Sequence, residues 1–283
     1  MRIAPILLVI LSMASFPLAA HAVSSDSLRV DVRETSRAQG QFFTVTVSGE
    51  HAMPSLWFKE GSYTMFRQQD SSWMAMVPVE NLTKPGSYAL LVRTATGERK
   101  ITVEVKPNNR KIQYITLDPS KQGLKATETE KMRVKAALLT ESPEKLYSGI
   151  FLRPAPGRTS SLFGMKRSYD GGPVESYHKG FDISAPKGTP VKSTAAGKVV
   201  LCGTVAEGFR VHGNTVIIDH GQGLTSIYMH LNSIAAKQGA PVRKGEIIGT
   251  VGHTGISTAP HLHWGTYLYG ISVDPQLFEG RQY

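Results

Sequence analysis

In several short segments of this 283-residue chain apolar and polar side chains alternate one by one, and glycine or proline separates the segments. That period puts one face of each segment in a core and the other in solvent, which is strand behaviour. Leu28, Val30 and Val32 alternate in this way, as do Phe43, Val45 and Val47, then Tyr88, Leu90 and Val92, then Ile101, Val103 and Val105. Later apolar segments at 199–201, 216–218, 227–231 and 247–251 also read as β segments and are bounded by Gly197, Gly213, Gly221, Gly223, Gly245 and Gly252. With 27 Gly and 16 Pro to supply turns, the chain is expected to be mostly β.

The length suits two compact units rather than one. Residues 1–22 have the form of an export signal: Arg2, an apolar stretch at 6–11, and Ala20-His21-Ala22 as a small-x-small cleavage site. No later segment is apolar enough to span a membrane, so no integral span is expected once the signal is removed. Residues 23–106 predict an immunoglobulin-like β-sandwich, with Trp57, Phe58 and Trp73 giving bulk to its core. Residues 107–150 predict a linker with one short helix and no chemistry of its own. Thr127 and Glu130 form a capping-box pair, and Met132, Val134, Ala137 and Leu138 would make the helix's apolar stripe. Residues 151–283 predict a second β unit, expected to fold without the rest.

Composition narrows the function. The single cysteine, Cys202, lies in an apolar run and excludes an internal disulfide. A formal net charge of +10 favours anionic polymers as partners. The basic residues are scattered and match no nucleic-acid-binding pattern, so no nucleic-acid partner is expected.

Seven of the nine histidines lie beyond residue 177. His178 and Asp182 are four apart, with Gly180 between them and Pro186 after them, which argues for an extended segment rather than a helix. His261 and His263 flank Leu262, so on a strand both imidazoles project to one side. Tyr228 and His230 would likewise share a face, opposite a core-facing Ile227, Met229 and Leu231. Three of these groups satisfy a catalytic zinc with one position left open, and two imidazoles remain to handle protons. His220 reads as a structural turn residue, and His212 and His253 as loop residues.

In HKGFD at 178–182, YMHL at 228–231 and HLHW at 261–264, the chain resembles the LytM/lysostaphin-type zinc endopeptidases. SSLFG at 160–164, APKGTPV at 185–191, AAGKVV at 195–200, GNTVIIDHG at 213–221 and DPQLF at 274–278 extend the resemblance over roughly residues 151–280. The resemblance implies an antiparallel β-sheet peptidase domain with one Zn2+ per chain held by His178, Asp182 and His263. It assigns His230 and His261 to catalysis; on chemical grounds the second imidazole or Tyr228 is expected to donate to the developing oxyanion. It also implies cleavage of the peptide cross-links or stem peptides of bacterial peptidoglycan, with the D-alanyl to diaminopimelate bond expected. The expected location is the periplasm, or failing that the cell wall or the medium, and the N-terminal region is expected to place or regulate the peptidase, by docking to an envelope protein partner or the wall or by covering the groove. A silent relative that activates another wall hydrolase is the alternative, and the full set of donors argues against it.

Overall fold

In the computed structural model, residues 28–174 and 176–283 are described, and the export-signal segment lies outside them. The first half packs two sheets face to face. One contains Arg29–Arg33, Phe42–Ser48, Trp73–Pro78 and Phe66–Arg67, and the other Ser36–Ala38, Gly97–Lys106, Gly86–Thr94, Ser55–Phe58 and Gly61–Tyr63. The alternating residues are its core: Phe43, Val45, Val47, Leu90, Val92, Val103 and Val105 are all buried. Phe58 is buried with them, whereas Trp57 and Trp73 are half-buried, each with an arginine over its ring.

The second half is built on a ten-stranded sheet. Its main path runs through Arg158–Ser161, Phe181–Ser184, His261–Leu268, Leu224–Ile234, Asn214–Gly221, Gly197–Gly203 and Pro241–Val242. One face of this sheet is covered by the larger core, which includes Phe181, Tyr228, Leu262 and Trp264. Aromatic side chains join that core to the first half: Phe42 stacks on Phe278 at 5.4 Å, and Tyr63 meets Tyr269 edge-on at 5.2 Å.

The other face carries Leu201, Phe209, Ile217, Ile227 and Tyr267, and the helix Glu128–Leu138 lies over them through Val134, Ala137 and Leu138. The start of that helix is as expected, with the Thr127 hydroxyl accepting from the Glu130 N–H at 3.0 Å. Two details of the expectation are corrected. Met132 is 64% exposed and belongs to no stripe. The Glu130 side chain does not turn back to cap the helix; it reaches into the peptidase half.

Segment 107–150 does more than connect. Ile112–Ile115 pairs in parallel with Lys166–Tyr169, Ser142 Oγ donates to Asp219 Oδ2, and the Leu146 N–H donates to the His220 carbonyl. Burying Val134 and Leu138 is worth about 1.5–3 kcal/mol each, a large share of a typical domain's stability. A chain of residues 107–283 is therefore expected to unfold at least about 10 °C above one of residues 151–283 in thermal melts. Equal melting temperatures would show that the helix adds nothing to the fold.

Candidate metal centre and catalytic cleft

Strand register brings the donors together. Phe181–Ser184 pairs antiparallel with His261–Leu268 so that Asp182 lies opposite His263 and Ser184 opposite His261. Directly opposed residues project to the same face. Asp182 and His263 therefore stand side by side on the face that the helix also covers. His178 lies just before this strand and completes a triangle. His178 Nε2 is 3.0 Å from Asp182 Oδ1 and 2.9 Å from His263 Nδ1, and His263 Nδ1 is 2.9 Å from Asp182 Oδ1.

The protonation of these groups suits the triangle to a metal ion. His178 Nδ1 is 2.9 Å from the Leu162 carbonyl, so it carries the proton and donates it there, which leaves Nε2 with a lone pair. The Ser161 hydroxyl, 3.0 Å from the same nitrogen, donates its own hydrogen to Gln113 Oε1. Burial pushes His178 below the ordinary histidine range and lowers His263 to about 4, so both rings are neutral at pH 7. Burial would raise the Asp182 carboxyl, but His178 and His263 outweigh it and hold it well below the usual carboxylate range. Two imidazole nitrogens and a carboxylate oxygen within 3.0 Å of one another are held together by a shared proton or by a metal ion that replaces it. Ligands on a tetrahedral zinc at about 2.0–2.1 Å stand about 3.3 Å apart, so the three atoms approximate one face of its coordination shell.

Two further features hold these donors in place. Arg167 Nη2 donates to Asp182 Oδ2 at 3.2 Å, which fixes the carboxylate with Oδ1 turned to the site. Gly180 leaves room for a ligand ring. A Cβ there would lie 2.6 Å from both His263 Cε1 and the Trp264 carbonyl, and it would also strike His263 Nε2.

His230 and His261 flank the triangle, with ring centroids 4.9 Å apart. His230 Nδ1–H donates to the Thr254 carbonyl at 2.8 Å, and His261 Nδ1–H to the Ala259 carbonyl at 2.8 Å. Each ring is thereby left with an unprotonated Nε2. Burial, followed by the neighbouring rings His261 and His263, keeps His230 well below the ordinary range.

The expected role of Tyr228 is corrected. Its register partner is Trp264, which faces the core, and its hydroxyl accepts from the Thr194 N–H at 2.9 Å. Burial pushes this phenol up to about 12, and it does not line the cleft. Met229, opposite His263, faces the cleft instead. His230 joins it because the strand bulges there: residues 229 and 230 span the register shift between Asn214 and Val216, and His230 adopts φ 62°. A bulge of this kind re-aims one side chain and breaks the alternation on which the expectation rested. His220 is structural as expected, bonded to the Ala196 carbonyl and to Ser226 Oγ at 2.7 Å each, but it lies in the strand Asn214–Gly221 rather than in a turn.

The donors sit in a cleft of about 710 Å³. One wall comes from the segment expected to hold no chemistry, through Gln113, Ile115, Leu117, Leu124, Lys125 and Lys131.

Residues 176–275 match the pattern of peptidase family M23. A crystal structure from Pseudomonas aeruginosa assigned to peptidase M23 is 33% identical and superposes with a TM-score of 0.62, covering 82% of this chain and 89% of that one. The chain belongs to peptidase family M23. Among curated M23-like relatives, the DD-carboxypeptidase/endopeptidase Mpg of Neisseria meningitidis is 43% identical over 98 residues, which are 35% of this chain and 22% of that protein. The peptidoglycan DD-endopeptidase ShyA of Vibrio cholerae is 36% identical over 117 residues, 41% of this chain and 26% of that protein. The matched stretch thus spans only about a quarter of either relative's length. Zinc is the metal of this family, and the buried His, Asp and His donors of this M23 peptidase suit it.

Arg167 and Gln113 carry no spacing signal, and Ser161 enters the sequence reading only as part of SSLFG, with no role assigned. The glycine in HKGFD was noted only as a helix breaker. Gly180→Ala is expected to displace His263 and reduce bound zinc by at least about tenfold, the range seen when a ligand's support is lost. Metal analysis of the folded variant checks this, and full occupancy would show that the ring has room to move.

Proposed function

We propose that this chain is a zinc-dependent endopeptidase of bacterial peptidoglycan, with His178, Asp182 and His263 as metal ligands and His230 and His261 as the proton-transfer pair. The carrying observation is the triangle of three buried donors beside two imidazoles that are not needed as ligands. When bound, zinc would lower the pKa of a water and polarise the scissile carbonyl. His261 Nε2 is 3.8 Å from Asp182 Oδ1, close enough to the site to take a proton from that water and return it to the leaving amine. His230, across the same opening, presents the same free Nε2 and would accept a hydrogen bond from that water, orienting it for attack. The carbonyl bonds at both Nδ1 atoms keep these rings in the tautomer that the task needs.

The lining favours a substrate with free carboxylates. Lys125, Lys131, Arg167 and Lys179 face the cleft, and among the lining residues the only carboxylate is the ligand Asp182. Stem peptides cross-linked through diaminopimelate bring carboxylates to such a surface, whereas an oligoglycine bridge brings none. The named activities of the relatives, DD-carboxypeptidase/endopeptidase and peptidoglycan DD-endopeptidase, fit the D-alanyl to diaminopimelate bond. That substrate would place the protein in the cell envelope. Among the described residues, no helix is long and apolar enough to cross a membrane.

His230→Ala and His261→Ala are expected to keep their zinc and lose about a hundredfold or more in turnover, while His178→Ala loses the metal. Metal content measured beside kcat separates the roles, and an emptied site in His261→Ala would exchange His261 with His263. Defined cross-linked muropeptide dimers should be cleaved and pentaglycine left intact, with the rate falling as salt rises. Equal cleavage of pentaglycine, read by mass spectrometry of the products, would overturn the substrate assignment.

A further inference from the structure

We infer that Glu130, on a helix outside the stretch that matches the family, is a positioning residue for the catalytic histidines; this rests on the roles proposed above for His230 and His261. Glu130 is fully buried, yet it is a carboxylate on a short helix at the edge of the cleft. Its oxygens accept from three successive backbone N–H groups: Arg210 at 3.0 Å, Val211 at 3.0 Å and His212 at 2.7 Å. They also accept from the His212 ring, whose Nδ1 is 2.6 Å away. Burial alone would raise this acid, but the ring and backbone of His212 outweigh it and hold the carboxyl at about 2. An ionised group with four donors inside a protein fixes whatever carries those donors.

Here the donors belong to the loop that holds the catalytic pair. The His212 carbonyl accepts the His230 N–H at 3.0 Å, which pins the strand at the residue with φ 62°. Such a conformation persists only where its surroundings over-determine it. The Val211 carbonyl accepts the Ile256 N–H at 2.9 Å, tying in the loop that contains Thr254 and Ser257. The Thr254 carbonyl takes the His230 ring proton, and Ser257 Oγ lies 3.1 Å from His261 Nδ1. The two loops touch backbone to backbone, since a Cβ on Gly255 would lie 2.5 Å from both the Gly213 nitrogen and the Val211 carbonyl oxygen. Contacts therefore run from Glu130 through residues 210–213 and 254–257 to both imidazoles. The metal ligands are supported separately, by Leu162, Ser161 and Arg167.

This separation makes the inference testable in the full-length, zinc-loaded protein. Glu130→Gln keeps the shape of the side chain and removes its charge, turning an NH2 group toward backbone donors. It is expected to lower kcat on a cross-linked muropeptide dimer by about ten- to a hundredfold, the cost of misplacing a catalytic group by about 1 Å. KM should stay within about twofold and zinc content should be unchanged, because binding surface and ligands are left in place. In 15N-histidine spectra the His230 ring signals should move from one tautomer toward a mixture, while those of His178 and His263 stay fixed. Glu130→Asp, which keeps the charge but retracts it, should fall between the two and serves if the Gln variant does not fold. The inference is overturned by a kcat within twofold of the unsubstituted protein, by a rise in KM alone, or by loss of zinc along with activity. If the unsubstituted protein cleaves no muropeptide, the proposed function fails, and the His230 signals still decide the role of Glu130.

Discussion

The pairing of Phe181–Ser184 with His261–Leu268 is the constraint on which the site depends. Its register sets Asp182 beside His263, and a slip of one residue would send one of them into the core with Trp264. Because the donors come from adjacent strands, backbone hydrogen bonds fix their spacing before any metal arrives. His178 needs no strand of its own, since the Leu162 carbonyl already sets its ring. The sheet thus makes a rigid half-shell, the kind of scaffold that holds a metal geometry better than loops do.

A second layer converts that geometry into chemistry. Backbone carbonyls at Leu162, Thr254 and Ala259 take the Nδ1 protons of His178, His230 and His261, so each ring turns a lone pair inward. Arg167 holds the carboxylate, and Glu130 holds the loops beside His230 and His261. These supports come from the segment before the family-matching stretch, from the strand that pairs with it, and from the intervening loops. The peptidase site of this chain is accordingly larger than the stretch that defines its family.

Much of this was legible in the sequence. Period-two alternation placed the strands around Phe43, Leu90 and Val103, because burial on one face leaves a local imprint. The spacing of His178, Asp182, His261 and His263 exposed the donors for the same reason. Tyr228 was misread because alternation assumes a regular strand, and the bulge at residues 229–230 depends on the loops packed against it. Glu130 read as a capping residue, since three residues after Thr127 that is its local role. Its actual partners lie 80 to 82 positions away, where no local pattern reaches. Arg167 was invisible on the same grounds, being an ordinary surface-type residue until the fold sets it against Asp182.

The most direct test is the first coordination sphere of zinc in the full-length protein, from a crystal structure with anomalous scattering recorded at the zinc edge. The account predicts His178 Nε2, Asp182 Oδ1 and His263 Nδ1 at about 2.0–2.2 Å, one position open to solvent, and no bond from His230 or His261. Zinc ligated by His261 in place of His263, or an Asp182 carboxylate turned away from the metal, would contradict it.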